Sequence, residues 1–413
     1  ADEKQARGEP LHLLHGLPTA HKDLLLTKGV RTTWGSPIYR DFVPDEDALI
    51  VERQAAAGAI SVGKTNTPEF GAGSQTFNAV FGATLNPYDP ARTCGGSSGG
   101  AAVALACGMV PIADGSDLGG SMRNPASFCN VVGFRASAGR VPRYPTKLAW
   151  NTLSVDGAMA RTVEDVALLM QAISGPDARS PIALPEPASL FAQPLPRDFA
   201  GELVAWAPTF GGTVPVDPRV AAAVDAQRPL FESLGCRTED AMPDLRDADE
   251  VFRVNRALIF TAQYAELMRT RRELLKNTMI WNIEHGLQMT AERIAAAELK
   301  RTQLFQRVHG FFDRYAFLVL PTVQVPPFPV ESHWVDEIDG VPMADYLEWM
   351  KSCYLITATG HPAISVPCGF SGEGLPIGLQ IVGRYRDDFG VLQLAYALQQ
   401  ATQFWRRRPP LAA

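Results

Sequence analysis

Residues 94–125 constrain this chain more than any other stretch. They read CGGSSGGAAVALACGMVPIADGSDLGGSMRNP. Two turns, Gly95-Gly96-Ser97-Ser98-Gly99-Gly100 and Asp117-Leu118-Gly119-Gly120-Ser121, bracket an apolar run sized for one helix and one short strand. Glycine at this density lets the backbone take positive φ and approach another group closely. Successive N–H groups in such turns can point into one concavity and hold negative charge. A serine there has oxyanion donors beside its own hydroxyl, as a nucleophile in acyl transfer needs. None of the 7 histidines lies in or beside either turn. The base for Ser97 or Ser121 is therefore sought among the lysines, since a Ser-Lys variant of the triad is chemically allowed.

Composition removes several function classes. With 413 residues there is chain for a large buried core, and 46% hydrophobic and 20% charged residues are ordinary for a globular protein. A formal charge of −6, with no basic run interleaved with aromatics, argues against a nucleic-acid partner. Arg406-Arg407-Arg408 reads as a solvated end. The 6 cysteines are widely spaced without a CxxC, so buried free thiols in a reducing, cytoplasmic compartment are expected. No metal or cofactor is implied. No apolar stretch reaches ~18 residues, so no membrane span is expected. The polar start, ADEKQARGEP, is not a signal peptide; it reads as the last turns of a helix that begins upstream.

The pattern along the chain alternates strands and helices. Gly16-Leu17-Pro18 is turn chemistry before a short strand that delivers Lys22-Asp23. Residues 46–58 have helical apolar spacing and end at Gly58, a C-terminal cap. Residues 59–63 then read as a short buried strand. Gly58–Thr65 matches the phosphate-loop pattern GxxxxGK[ST]. In a true phosphate loop the strand precedes the first glycine. Here the variable positions are themselves the strand, which argues against nucleotide binding. Residues 101–110 predict a buried helix and 131–134 a buried strand. Residues 162–174 form an amphipathic helix capped by Thr162. Residues 176–200 are a Pro- and Asp-rich surface connection. Residues 203–206 and 236–238 read as strands around one helix from Pro218 to Leu234, opened by Asp217. Residues 250–312 are mostly helical. Strands follow at 317–320, 364–366 and 379–382, and a helix at 388–403. The fold class is α/β: helices flanking one large twisted mixed sheet.

Three residues now stand together: Lys22, Ser97 and Ser121. At this point the chain resembles the amidase signature family. The matching segments are GGSSGG at 95–100, GSDLGGSMRNPASFCNVVGFRASAGRVP at 115–142, HGLPTAHKD at 15–23, VGKTNTPEFG at 62–71 and GLPIGLQIVG at 374–383. The resemblance spans nearly the whole chain and is weakest over 176–310. It implies one amidase signature domain over 1–413, with a catalytic core at 11–175 and 315–405 and a more variable, substrate-covering part at 176–314. It implies a Ser-cisSer-Lys triad: Ser121 the nucleophile, Ser97 the bridging serine after a cis Gly96–Ser97 bond, Lys22 the base. Most family members carry Thr where Leu118 stands. The oxyanion donor there is a backbone N–H, so the role survives the change.

The chemistry can be argued beside the family. A lysine is ammonium at pH 7, but burial with little counter-charge lowers its pKa. A neutral Lys22 takes a proton from Ser97 while Ser97 takes one from Ser121. The N–H groups of Leu118, Gly119, Gly120 and Ser121 would meet the oxyanion. Gly71 lies near the substrate carbonyl in the family pattern. Ser98 is read as support, and Asp117 with Arg123 as a buried brace for the oxyanion loop. Trp150, Trp334, Trp349 and Tyr354 are candidates for a hydrophobic acyl or aryl pocket. The expected activity is amide hydrolysis of a small molecule, extending to esters, anilides or carbamates. The alternative is the glutaminase component of a transamidating complex that serves aminoacyl-tRNA. Against it stands the Trp- and Leu-rich 250–350 region, where polar groups for glutamine are expected. A homodimer is compatible with either.

Overall fold

The computed structural model describes residues 1–412. Ten strands form one sheet: β1 Pro18–Lys22, β2 Ile60–Thr65, β3 Ile112–Asp117, β4 Val132–Arg135, β5 Val155–Ala160, β6 Leu203–Trp206, β7 Arg237–Asp240, β8 Phe317–Pro321, β9 Ala363–Phe370 and β10 Pro376–Gly383. Their spatial order is β2-β1-β3-β5-β4-β9-β10-β8-β6-β7. Strand β1 is parallel to both β2 and β3, β5 is antiparallel to β3 and β4, and β6 is parallel to β7 and β8. The sheet is thus mixed and flanked by helices, as the alternating pattern predicts.

Burial follows from strand position. Strands β5, β9 and β10 sit inside the sheet with both faces covered, and their residues are nearly all buried. Helices Val163–Ile173 and Asp388–Thr402 pack in one large apolar cluster with these strands. Helix Gly99–Ala106 packs in a second cluster with Ala113, Met122, Ala126 and Met159. The small side chains at 101, 102, 104 and 106 let that helix lie close on the sheet.

Two expectations change. The strand after Gly58 is not buried: β2 is an edge strand, with Ile60 47% and Val62 59% exposed. The 218–234 helix is two helices, Pro218–Asp225 and Arg228–Ser233. Pro229 lacks an N–H and its ring would clash with the carbonyl of residue 225, where the first helix stops. A short helix, Arg123–Phe128, follows the second turn. At the N-terminus the helical stretch is short, Asp2–Ala6, with no buried residue. Thr162 caps its helix as expected, its hydroxyl accepting from the Asp165 N–H. Replacing it with alanine should cost about 1 kcal/mol, read by denaturant unfolding.

Candidate active site

Two strands bring the site together at one end. Parallel neighbours β1 and β3 end at Lys22 and Asp117. The first glycine turn leads into helix Gly99–Ala106, and the second follows β3. The turns are tied directly: the Ser98 N–H donates to the Ser121 carbonyl at 3.0 Å. Thr76 braces the first turn, its hydroxyl donating to the Gly95 carbonyl at 2.9 Å and accepting from the Gly99 N–H at 3.2 Å. A side chain on Gly99 would fall 2.2 Å from that Thr76 hydroxyl. The Gly96–Ser97 peptide is cis.

Lys22 is fully buried. Its Nζ lies 2.7 Å from Ser97 Oγ, 2.9 Å from Ser98 Oγ and 3.0 Å from Ser116 Oγ. No carboxylate among the described residues is within ion-pair distance of it. Burial lowers its pKa to about 7, partly opposed by the more distant Asp117, Asp156 and Asp114 and assisted by Arg143. A neutral amine has two N–H donors and one lone pair. Three hydroxyls can satisfy it with two acceptors and one donor.

The strand geometry explains how Lys22 is aimed. Its own N–H donates to Asp114 Oδ1 at 2.8 Å, and Asp114 Oδ2 is held by His21 at 2.5 Å and Gln54 at 2.9 Å. Nothing in the sequence alone points to Asp114 or Ser116. Both reach Lys22 only because β1 and β3 lie side by side: Asp114 accepts its backbone N–H and Ser116 Oγ lies beside its amine.

Asp117 and Arg123 form a buried ion pair, Oδ1 to Nη2 at 2.9 Å, and Arg135 joins them at 3.3 Å. Burial would raise the Asp117 pKa, but the two guanidinium groups outweigh it and hold the carboxyl well below its usual range. The same carboxylate accepts the N–H groups of Gly120 at 2.8 Å and Met122 at 3.2 Å. The Gly120 N–H is therefore already engaged with Asp117. Leu118, Gly119 and Ser121 keep N–H groups that make no hydrogen bond among the described residues. Gly120 has φ +111, and a Cβ there would meet Cys353 at 2.4 Å, so only glycine closes this turn.

Ser97, Ser121, Ser116, Leu118 and Gly71 line one cavity of about 550 Å³. A Cβ on Gly71 would lie 3.5 Å from Ser97 Oγ and 2.9 Å from Leu24 Cδ1, so its missing side chain leaves space beside that serine. The aromatic wall is not the expected one. Trp150 is 77% exposed, Trp349 packs on Phe128 and Phe328, and Tyr354 stacks on Phe252. Trp334 and Trp349 line a separate small crevice. The wall is instead Trp34, Tyr39, Phe42 and Phe70 with Phe260 and Tyr264 from helix Ala248–Arg271. The phosphate-loop lookalike is spent on structure: Lys64 Nζ donates to the Leu25 carbonyl and to Thr27 and Thr32 hydroxyls.

The Amidase family model matches residues 1–392. The chain belongs to this family, whose members cleave amide bonds. A glutamyl-tRNA(Gln) amidotransferase subunit of Synechococcus sp. (strain CC9605) is 36% identical over all of this chain and 88% of its own length. A bacterial aryl acylamidase of the amidase signature family superposes with TM-score 0.90 at 28% identity, covering 98% of this chain and 86% of that one. The glutamyl-tRNA(Gln) amidotransferase subunit from Thermotoga maritima superposes with TM-score 0.81 at 30% identity, covering 98% and 88%. This amidase is thus an amide-cleaving hydrolase by family and fold. No helix among the described residues is long and apolar enough to cross a membrane. Removing the carboxylate in Asp117→Ala leaves two buried guanidinium groups unpaired. We expect about 3–5 kcal/mol of lost stability, measured by denaturant unfolding, against a much smaller loss for Ser98→Ala.

Proposed function

We propose that this amidase hydrolyses small carboxamides through an acyl-enzyme on Ser121, relayed by Ser97 to Lys22. The observation that carries the reading is the buried Lys22 amine, 2.7 Å from Ser97 Oγ and lowered to about 7. Ser121 Oγ attacks the carbonyl carbon. Its proton passes to Ser97, and the Ser97 proton passes to the Lys22 lone pair. The Leu118, Gly119 and Ser121 N–H groups meet the oxyanion; losing one such donor typically costs about 3 kcal/mol. The proton then returns through Ser97 to the leaving nitrogen, the C–N bond breaks, and an ester on Ser121 remains. Water attacks that ester with the same relay acting as base, releasing the acid and restoring Ser121. Gly71 leaves room for the substrate carbonyl.

The cavity favours an amide with an apolar or aromatic part, because aromatic rings make up much of its wall. Esters, anilides and carbamates fit the same nucleophile. A second reading, the glutaminase component of an amidotransferase, is favoured by the 36% identity to the Synechococcus protein and by charged groups, Asp156 and Arg256, in the cavity. Ammonia release from glutamine, set against release of aniline from an aryl amide, separates the two.

Two outcomes test the relay. Lys22→Ala should lower kcat/KM by about 10²–10⁴-fold with the fold intact by circular dichroism; unchanged turnover would remove Lys22 as base. The pH profile should also report the amine. Below its pKa Lys22 is ammonium and cannot accept a proton, so kcat/KM should fall on the acid side with an apparent pKa near the value of about 7. A flat profile from pH 6 to 9 would contradict the assignment.

A further inference from the structure

Arg256 is a buried cation without an anion. It stands on helix Ala248–Arg271, is 4% exposed and lines the serine cavity. Its Nε donates to Asn282 Oδ1 at 3.1 Å and its Nη2 to the Tyr346 hydroxyl at 3.0 Å. Both partners are neutral. Its face lies 4.5 Å from the Phe260 ring centroid. No carboxylate among the described residues is within ion-pair distance, and Nη1 makes no hydrogen bond among them. Buried charges are ordinarily paired. Asp156, a carboxylate in the same cavity, is committed to Arg143 at 3.1 Å. Lys147 also lines the cavity, leaving its charged lining net positive.

Position relates this cation to the reacting centre. A Cβ on Gly119 would lie 2.8 Å from Phe252 Cζ, so Phe252 abuts the oxyanion turn. Arg256 follows Phe252 by one helical turn, about 5.4 Å of rise. We infer that Arg256 is an anion subsite and that the substrate is an amide carrying a carboxylate a few bonds from the scissile carbonyl. One free amino group and one positive charge match a planar monoanion better than a phosphate dianion. This rests on the amide-hydrolysis reading above and names its substrate class.

The test uses matched pairs of amides: succinic and glutaric mono-anilides against the neutral butyric and valeric anilides, and the benzamide of glycine against N-ethylbenzamide. Wild type should favour at least one carboxylate member by about 10- to 100-fold in kcat/KM, the range for a hydrogen bond to a charged group. Arg256→Gln should bring that ratio towards one. Neutral members turned over as well as their acids, or a ratio that survives in Arg256→Gln, would overturn the subsite while leaving amide hydrolysis standing. A second measurement needs neither turnover nor a folded Arg256 variant. Calorimetry on Ser121→Ala should show the acids binding more tightly than their neutral partners. Equal binding overturns the subsite. Tighter binding of the acids without wild-type turnover keeps it and removes the hydrolysis reading instead.

Discussion

Everything in this site depends on keeping one ammonium-type side chain dry. Lys22 is surrounded by hydroxyls and has no carboxylate in contact among the described residues. Water would restore its ordinary basicity, and an adjacent acid would do the same by attraction. The fold denies it both. Strand β1 runs inside the sheet between β2 and β3, so its end is covered from both sides. The nearest acidic anchor, Asp114, is turned to the Lys22 backbone and to His21 and Gln54. It positions the lysine without touching its amine.

Asp117 is managed the opposite way. It lies one residue beyond Ser116 on β3 and is as buried as Lys22, yet it is clasped by Arg123 and Arg135 and by two backbone N–H groups. That clasp keeps it anionic and shapes the Leu118–Ser121 turn. One charge is suppressed and the other is compensated within a few residues. On the proposed reading the first supplies the base and the second holds the oxyanion turn in place. Arg256 fits neither pattern, since its guanidinium pairs with no carboxylate among the described residues and is held by Asn282 and Tyr346 instead.

Much of this is legible in the sequence because it is local. The glycine turns, the lysine after a turn-and-strand pattern and the Thr162 cap all announce themselves within a few residues. Helix and strand alternation suffices for the α/β class. What cannot be read there depends on partners far along the chain. The exposure of Ile60 and Val62 follows from β2 having a neighbour on one side only. The aromatic wall joins a loop around Trp34 to helix Ala248–Arg271, more than 200 residues away in the sequence. Ser116 and Asp156 face each other only because β3 and β5 pair in that register. Trp150 and Trp349, candidates on aromaticity alone, are surface and core instead.

The protonation state of one amine decides the account. Carbon-13 NMR of ε-labelled lysine, with Lys22 assigned by its loss in Lys22→Ala, follows that amine directly through a pH titration. We expect the Lys22 signal to titrate at about 7, below the two other buried lysines, Lys64 and Lys276, which burial lowers to about 8. A Lys22 signal that titrates near 10.4, the ordinary value for lysine, would contradict it.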